Sequence, residues 1–505
     1  MPANNTLSNF ASNFATRVFS IDLRSLALFR IALGVLVIAD LIFRWPTVTD
    51  MYSGQGFFTR ELSFQFYDNH HLASWPTTFW SVYWISDSVS FVISLFVIAA
   101  VAAVFLILGK WTKIATIVSW VLLASIHVRN PLVTSSGDFL FKMMLFWSIF
   151  LPLNARWSLD SRKSKLLDHQ SICSMASAAY IIQLFAIYFF SGLAKWNETW
   201  LSGNALEFVL RLDIYIHQFG KALLQYPELL ALTTWVTLAS EIILIWGLFS
   251  YWRNGTWRMI NLVVFWSFHI GIALCMAIGM FPWICMVAWL PLLPSFFWPK
   301  LNDAKVENHF HWNQLGSIQL ATELFCLATV TLVILWNLGN SDIPSPNKLR
   351  IPLVRQIGFQ MGVDQHFKMF GKPPAVNPWF VYEGQLQDGT MIDLWRKENL
   401  SGDRPESGLS VFPNFHWRKL HRNATYDSSH FLHQPMLDYL VKHWNNANPE
   451  QQVVNARLIY YMEEIGPQYN RGNFKSTVWA SYADQQKKPG SLFESFMNEN
   501  DDLPF

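Results

Sequence analysis

The chain contains little charge for its length. Only 14% of its 505 residues are Asp, Glu, Lys or Arg, whereas about 25% is usual for soluble domains. The 37 basic and 35 acidic residues nearly cancel, so no basic excess indicates a nucleic-acid-binding protein. The four cysteines form neither a CxxC motif nor a Cys/His spacing of the zinc type, so we expect no metal site.

Apolar and aromatic side chains take the place of the missing charge. Hydrophobic residues make up 52% of the chain, which has 25 Trp and 41 Phe. The charge is also uneven, because residues 1–339 hold 37 charged side chains and residues 340–505 hold 35. The sequence therefore predicts a membrane domain over residues 1–340, a soluble α+β domain over residues 341–475 and a polar tail over residues 476–505.

Apolar runs long enough, or nearly long enough, to cross a bilayer recur through the first 340 residues. A helix needs about 20 such residues to span a hydrocarbon core of about 30 Å. Nine runs are candidates: 25–43, 88–109, 114–129, 138–154, 174–195, 229–250, 259–279, 282–298 and 317–338. They predict an all-α polytopic membrane bundle of about nine spans. The Trp-rich segment 72–86 has the composition of a helix at the membrane interface.

Lysines and arginines between the spans predict the orientation. With the N-terminus in the cytoplasm, twelve of them fall in inside segments and five in outside loops. Cytoplasmic loops carry the excess of Lys and Arg in membrane proteins. We therefore expect a multi-pass protein of the cell membrane, with a cytoplasmic N-terminus and an extracytoplasmic C-terminal domain.

Three segments define the predicted soluble domain. Residues 379–395 alternate around Asp388-Gly389, a dipeptide that strongly indicates a β-hairpin. Residues 431–445 repeat apolar side chains at helical spacing. Residues 453–463 fit either a strand or a helix.

Ionisable residues inside the predicted spans each need a reason, since such a group costs roughly 2.5–3.5 kcal/mol or more at the bilayer centre. They are Arg30, Asp40, His127, Asp138, Lys142, Lys195, Glu241, His269 and Glu323. Asp138 and Lys142 have the i, i+4 spacing of an intrahelical ion pair. We expect Arg30 to pair with Glu241 or Asp40 between spans.

Lys195 is the ionisable residue with the clearest chemical use. It ends the fifth predicted span, where Ser191, Gly192 and Ala194 allow neighbouring helices to approach closely. Aromatic side chains surround it, and the desolvation they cause favours a neutral amine. A neutral lysine amine is a usable general base. The alternative is a lysine that extends to the membrane interface beside Trp196.

The predicted orientation places several polar residues on one face of the membrane. Lys195 ends span five near the outer face, and Asp138 begins span four there. His127 and Arg129 end span three on the same face. We expect these groups to line one cavity.

Short strings in the chain resemble a known family. SGLAKWNETWLSGNAL resembles the stretch that carries the catalytic lysine of vitamin K-dependent γ-glutamyl carboxylases, and Lys195 falls on that lysine. These enzymes contain the membrane domain called HTTM (horizontally transferred transmembrane domain). Ile278-Gly279-Met280-Phe281 and Trp157-Ser158-Leu159-Asp160 are similar to two further carboxylase strings. LALFRIALG, QHFKMFGKPP and FHWRKL look like bacterial HTTM proteins.

The resemblance implies a reaction and its cofactors. In the carboxylases the lysine deprotonates reduced vitamin K, oxygen adds, and the strong base that results removes a γ-proton from a substrate Glu, which takes up CO2. For this chain it implies Lys195 as the catalytic base, with reduced vitamin K or menaquinol, O2 and CO2. It also implies an exported protein or peptide as substrate and the inner membrane of a bacterium as the location. The supporting polar residues would be Asp138, His127, Arg129, Glu241, His269 and Arg30.

Two other functions remain open. Where the carboxylases carry a functional histidine before span four, this chain has Gly137, which favours a non-catalytic membrane protein for maturation, immunity or partner binding. A transporter would use Arg30, Asp40, Glu241 and His269 as a relay. The sequence has no inverted repeat or pair of broken helices, which argues against transport. A packing role with one hydrogen bond is the structural alternative for His269.

Overall fold

Two compact units make up the chain. The membrane unit comprises residues 1–210 and 216–373, and the C-terminal unit comprises residues 211–215 and 374–505. The computed structural model describes residues 12–69, 79–163, 166, 168–300, 305–310, 312–341, 352–365, 367, 369–400, 405, 408–465 and 474–483.

Within the described ranges, nine main helices form the body of the membrane unit. They are α1 (Leu23–Arg44), α2 (Val89–Leu108), α3 (Thr112–Arg129), α4 (Ser136–Ser148), α5 (Met175–Ala194), α6 (Pro227–Ile242), α7 (Asn254–Cys275), α8 (Phe281–Ala288) and α9 (Ser317–Asn340). Among the described residues, seven helices are long and apolar enough to cross a membrane. The other two, α4 and α8, have only 13 and 8 residues. About 20 residues are needed to span, so two of the nine predicted spans are short helices instead.

Shorter elements connect the main helices. Short helices cover Val48–Tyr52, Arg60–Asn69, Glu198–Leu201, Ala205–Leu210 and Gln218–Leu223, and residues 12–19 are also helical. Three strands, which the sequence did not predict, form a small sheet in the order β1 (Ile21–Asp22), β2 (His169–Cys173) and β3 (Lys305–Asn308). Of the predicted interfacial segment, residues 72–78 lie outside the described residues. The remainder contains a 3₁₀ turn over Val82–Trp84.

Apolar side chains cover the outside of the bundle as well as its interior. On α2, Val97, Ile98 and Val101 are each about half exposed, while Ala103 and Leu106 are fully buried. Exposed apolar rows of this kind are stable against lipid hydrocarbon, which is as apolar as the side chains themselves. The architecture confirms the predicted helical membrane bundle followed by a small domain that contains strands.

Arg30 joins the end of one long helix to a loop. Its side chain is completely buried. Its acceptors, at 2.6–3.3 Å, are the carbonyl oxygens of Ile107, Leu153, Arg156 and Trp157. These acceptors are backbone groups at the end of α2 and in the loop after α4. The expectation that Arg30 pairs with Glu241 or Asp40 is therefore wrong, because its donors satisfy carbonyl oxygens that no helix hydrogen bond would satisfy.

The two charged residues of α4 also have partners other than those expected. Asp138 accepts a hydrogen bond from Arg44 Nη2 at 2.5 Å, and Lys142 donates to Asp364 Oδ1 at 2.6 Å. Asp138 and Lys142 therefore form two pairs that join α4 to other segments, in place of the predicted intrahelical pair. Helical spacing predicts pairs within one helix only, so it gives no information about partners of opposite charge on other segments.

The segment after α9 belongs to the membrane unit up to Pro373, whereas the charge distribution predicts a soluble domain from residue 341. Helix α10 (Pro352–Gln360) packs its Phe359 edge-to-face on Trp336 of α9, with ring centroids 5.1 Å apart. Farther along, the Gln365 side chain exchanges two amide hydrogen bonds with Gln183 of α5, at 2.8 and 3.2 Å. These contacts hold the segment in the bundle because its polar groups find partners there.

The C-terminal unit is a five-stranded sheet with helices. The strands are β4 (Val376–Leu386), β5 (Met391–Asp393), β6 (Glu398–Asn399), β7 (Val453–Glu464) and β8 (Phe474–Ala483), and the helices are α11 (Phe415–Ala424) and α12 (His433–Ala447). The strand order is β6-β5-β4-β7-β8, and all neighbours are antiparallel. The predicted hairpin at Asp388-Gly389 and the predicted helix over 431–445 are confirmed. Residues 453–463 form a strand.

The first residues of the predicted polar tail form part of a strand. Residues 476–483 lie in β8, which pairs with β7 over most of its length. Val478, Trp479 and Tyr482 give this polar segment the β-branched and aromatic content that strands favour. Residues 484–505 lie outside the described residues.

His421 is the buried polar centre of the C-terminal unit. Its Nε2 lies 2.8 Å from the hydroxyl of Tyr382, and its Nδ1 lies 2.7 Å from the carbonyl oxygen of Trp417. Trp395 packs on the ring at 4.8 Å between centroids. Burial among these rings lowers the pKa of His421 to about 4.

Replacing Arg30 tests whether its side chain stabilises the contact between α2 and the loop after α4. In Arg30→Met four carbonyl oxygens, which are buried or partly buried, lose a charged donor, and we expect destabilisation of about 3 kcal/mol or more. The measurement is the thermal unfolding midpoint of the purified protein in detergent. Arg162→Met, which changes an exposed arginine, is the control and should unfold like the wild type. An unchanged midpoint for Arg30→Met would contradict the proposed role.

Because His421 is buried, we expect the stability of the C-terminal unit to depend on pH. Its folded-state pKa of about 4 is below the ordinary value of about 6.5, so the unfolded chain binds the proton first. The stabilising contribution is complete above about pH 6.5 and is lost as the pH falls toward about 4, by roughly 3 kcal/mol in all.

Hydrogen exchange of the full-length protein in nanodiscs measures this effect. Amides of β4 should exchange faster at about pH 5 than at about pH 7.5, after correction for intrinsic rates. His430→Gln changes a histidine side chain that is 60% exposed and should keep the wild-type pH dependence. If His421→Gln keeps it as well, another group is responsible.

Candidate functional site

Lys195 lies directly after the last turn of α5. It is the C-cap residue of that helix, with φ −87° and ψ −1°. The side chain is 4% exposed, so it does not extend to an interface as the alternative required. A cation at a helix C-terminus is favoured by the negative end of the helix dipole.

The Lys195 ammonium has three hydrogen-bond acceptors and an aromatic neighbour. Its Nζ donates to Glu241 Oε2 at 2.7 Å and to Ser191 Oγ at 2.5 Å, with a longer bond of 3.4 Å to the Ser191 carbonyl oxygen. The ring of Trp200 lies 5.4 Å from Nζ, within the range of a cation–π contact. Glu241 is only 3% exposed. The charge of Lys195 is therefore balanced by a buried carboxylate of α6.

Gly192 permits the approach of α6 that forms this pair. A Cβ atom at Gly192 would lie 2.9 Å from Glu241 Cβ and 2.8 Å from Ile242 Cγ1, distances that real Cβ atoms do not adopt. The close approach predicted from the small residues before Lys195 is thus found at Gly192. It brings the carboxylate of Glu241 within hydrogen-bond distance of the ammonium.

His269 of α7 belongs to a second group of hydrogen bonds. Its Nε2 lies 2.9 Å from the hydroxyl of Tyr188, and Trp289 Nε1 donates to the same hydroxyl at 3.0 Å. His269 is 1% exposed. Within the described part of the chain, its Nδ1 has no hydrogen-bond partner.

A cavity of about 70 Å³ joins these two groups. Its polar lining consists of Ser136, Tyr188, Ser191, Lys195, Trp200, Glu241 and His269, and its apolar lining consists of Ile187, Leu206, Val209, Phe268, Ile272, Met276, Phe281, Cys285, Phe367, Met369 and Phe370. Apolar walls with a few convergent polar groups are typical of sites for small molecules. Among the described residues, no group of three or more His, Cys, Asp or Glu has the arrangement of a metal site.

The segment after α10 supplies one wall of the cavity, which sequence reasoning did not anticipate. Phe367, Met369 and Phe370 line it. Two side chains beyond Lys195 hold this segment, since Trp200 Nε1 donates to the Phe370 carbonyl oxygen at 2.9 Å and Asn197 Nδ2 donates to the Gly371 carbonyl oxygen at 2.7 Å. The available signal was the string QHFKMFGKPP, whose apolar side chains are unusual for a solvated linker.

Gly137 packs against the first residue of α8. A Cβ atom at Gly137 would lie 3.0 Å from Phe281 Cα and 3.2 Å from Phe281 Cδ2. Phe281 ends the string Ile278-Gly279-Met280-Phe281 and also lines the cavity. A side chain larger than glycine at position 137 would therefore require Phe281 to shift.

The structure brings together three of the seven candidate residues and separates the other four. Lys195, Glu241 and His269 line the cavity; Asp138, His127, Arg129 and Arg30 are not part of its lining. Arg129 donates to the carbonyl oxygens of Phe58 and Thr59, at 2.9 and 3.3 Å.

Asp138 and His127 belong to a separate buried network. His127 Nε2 lies 3.3 Å from Asp138 Oδ1. Arg44 joins Asp138 to Asp40, with its Nε 2.8 Å from Asp40 Oδ2, and its Nη1 donates to Tyr52 at 2.7 Å. Asp40 thus lies in this network and Arg30 among loop carbonyls, so the four residues of the transporter relay do not form one group.

Comparison with known proteins identifies the membrane unit. No solved structure matches the chain. Residues 19–298, which are more than half of the chain and include Lys195, Glu241 and His269, match the HTTM domain. The HTTM domain is found in vitamin K-dependent carboxylase-like membrane proteins. With its seven long apolar helices, the chain is a multi-pass membrane protein that belongs to the HTTM family.

Proposed function

We propose that this protein is a quinol-dependent membrane enzyme of the vitamin K-dependent carboxylase-like class, with Lys195 as its base. The observation that carries the proposal is the buried ion pair of Lys195 and Glu241 in the wall of an apolar cavity. A buried ion pair is weak support for stability, because desolvation of two charges offsets much of their attraction. Such a pair in a cavity is a candidate functional site.

The pair supplies a route for the proton that a base must lose. Glu241 Oε2 lies 2.7 Å from Lys195 Nζ, so transfer of one proton along this hydrogen bond gives a neutral amine and a neutral carboxylic acid. Neither product carries a charge that the apolar surroundings would penalise. The amine can then accept a proton from a hydroxyl group placed in the cavity.

The lining suits a reduced quinone, which when bound supplies acidic hydroxyl groups and a ring that reacts with O2. Aromatic and aliphatic side chains make up most of the wall, and a quinol ring is apolar on both faces. The cavity of about 70 Å³ is smaller than ligand sites of about 300 Å³ or more. We therefore propose that Met369 and Phe370, which lie outside the helices, move to admit a ring.

The resemblance supplies the rest of the proposed reaction. We propose reduced vitamin K or menaquinol as the cofactor, O2 and CO2 as co-substrates, and an exported protein or peptide as the substrate. The proposed location is the inner membrane of a bacterium, with the N-terminus in the cytoplasm and the C-terminal unit outside it. Cysteine labelling from either side of the membrane tests that orientation.

Formation of a quinone epoxide tests the base chemistry. The protein in nanodiscs is supplied with reduced vitamin K or menaquinol and O2, and the epoxide is measured by mass spectrometry. We expect epoxide from the wild type and a loss of roughly 10²–10⁴-fold in Lys195→Ala, the usual contribution of a general base. Lys442→Ala changes an exposed lysine of the C-terminal unit and should keep the wild-type rate. An absence of epoxide with both quinols and both proteins would reject the proposal.

A double variant separates loss of chemistry from loss of fold. Lys195→Ala leaves Glu241 as an uncompensated buried charge, which costs about 3–5 kcal/mol. Lys195→Met combined with Glu241→Gln removes both charges and should recover most of this loss. We therefore expect a higher unfolding temperature for the double variant than for Lys195→Ala, with epoxide formation still absent. Epoxide formation by the double variant would show that Lys195 is not the base.

Gly137 favours a second candidate, a non-catalytic HTTM protein that binds a partner in maturation or immunity. A Cβ atom at Gly137 would lie 3.0 Å from the Phe281 Cα, so the histidine that carboxylases carry would require Phe281 to shift. If neither quinol gives epoxide, affinity capture of the intact protein from membranes, with exported proteins quantified, tests this function. A reproducible exported partner would support it.

A further inference from the structure

Trp289, Tyr188 and His269 form a chain of hydrogen bonds with a defined direction. An indole N–H can only donate, so Trp289 Nε1 donates to the Tyr188 oxygen at 3.0 Å. Tyr188 has one hydroxyl proton, and the neighbouring acceptor is His269 Nε2 at 2.9 Å. When Tyr188 donates to His269, every polar group of Trp289 and Tyr188 is satisfied, as buried polar groups normally are.

This direction fixes the tautomer of His269. A neutral imidazole carries one proton, on either of its two nitrogens. The hydrogen bond at one ring nitrogen sets which nitrogen carries the proton. When Nε2 accepts from Tyr188, the proton is on Nδ1. Nδ1 is buried, and among the described residues it has no partner. His269 also lines the cavity that Lys195 lines, so an N–H donor without a partner among the described residues belongs to a residue of the cavity wall.

The charge balance of the cavity decides which acceptor this donor suits. Lys195 is already neutralised by Glu241 at 2.7 Å, so the two together attract no anion. The remaining wall is apolar and aromatic. The matching acceptor is thus an uncharged oxygen on a lipid-soluble molecule.

We propose that His269 Nδ1–H donates a hydrogen bond to a carbonyl or hydroxyl oxygen of a quinone or quinol ring in the Lys195 cavity, with Tyr188 and Trp289 holding the donor tautomer. This inference rests on the proposed function, because it names a contact of the same cofactor. It assigns His269 to ligand binding rather than to packing.

Two substitutions that differ only in the position of their amide test the contact. In His269→Asn the amide N–H lies near the position of Nδ1, so the donor is kept. In His269→Gln the amide lies near the position of Nε2, so the link to Tyr188 is kept and the donor into the cavity is lost. Tyr188→Phe removes the group that fixes the tautomer, and His430→Ala at an exposed site is the control.

The measurement is infrared spectroscopy of ¹³C-carbonyl-labelled menadione bound to the full chain in nanodiscs, together with its dissociation constant. In the wild type and in His269→Asn the carbonyl band should shift to lower wavenumber than in lipid alone. His269→Gln should lose the shift and bind roughly tenfold more weakly, since a hydrogen bond is worth about 1–1.5 kcal/mol. Tyr188→Phe should give a smaller shift.

The outcomes separate this inference from the base chemistry. A carbonyl shift that persists in His269→Gln overturns the role of His269 and leaves Lys195 as the proposed base. Loss of the shift in His269→Gln but not in His269→Asn supports the contact, even if the epoxide assay is negative. Failure of the wild type to bind menadione overturns both.

Discussion

The ion pair of Lys195 and Glu241 is the interaction on which the candidate site depends. Neither charge is tolerated alone in a water-poor bundle, because an unpaired buried ion costs several kcal/mol. Each therefore requires the other at hydrogen-bond distance, and the observed 2.7 Å requires α5 and α6 to approach closely. Gly192 permits that approach, since a Cβ atom at this position would overlap Glu241 Cβ. One missing side chain thus sets the geometry of the charged pair and of the cavity beside it.

The strings that resemble carboxylase sequences have different physical roles in this chain. The string with Lys195 supplies the charged pair. The string Trp157-Ser158-Leu159-Asp160 forms its contacts through its own backbone. The Trp157 carbonyl oxygen accepts from the Arg30 side chain at 2.6 Å, and the Asp160 N–H donates to the Gly109 carbonyl oxygen at 3.0 Å. The turn before α8 places Phe281 in the cavity wall. A resemblance in sequence therefore marks parts of the scaffold as well as parts of the site.

Buried charges outside the cavity form clamps between segments. Arg44 joins Asp40 and Asp138, which ties α1 to α4, and Lys142 joins α4 to the segment after α10 through Asp364. In a bilayer the apolar side chains of helices gain little by leaving lipid for one another. Polar pairs and close packing must then specify which segments meet. The ionisable residues of the membrane unit act mainly in this way.

The class of the protein follows from local sequence features, because length and apolarity suffice to mark a membrane helix. Such features also indicate Lys195 as the candidate base and the small residues that let α6 approach. The β-hairpin at Asp388-Gly389 followed from turn chemistry, which is local. Each of these features depends on neighbours in the chain.

Which charges pair depends on the tertiary structure. Glu241 is 46 residues from Lys195 and Asp364 is 222 residues from Lys142, so helical spacing carries no information about either pair. The lengths of α4 and α8 have the same cause. These helices have only 13 and 8 residues, and each ends before its apolar run does. The same reason applies to Phe367 and Phe370, which reach the cavity because the chain returns to the bundle after α9. Partners in space are set by packing of the whole unit, which local sequence patterns do not encode.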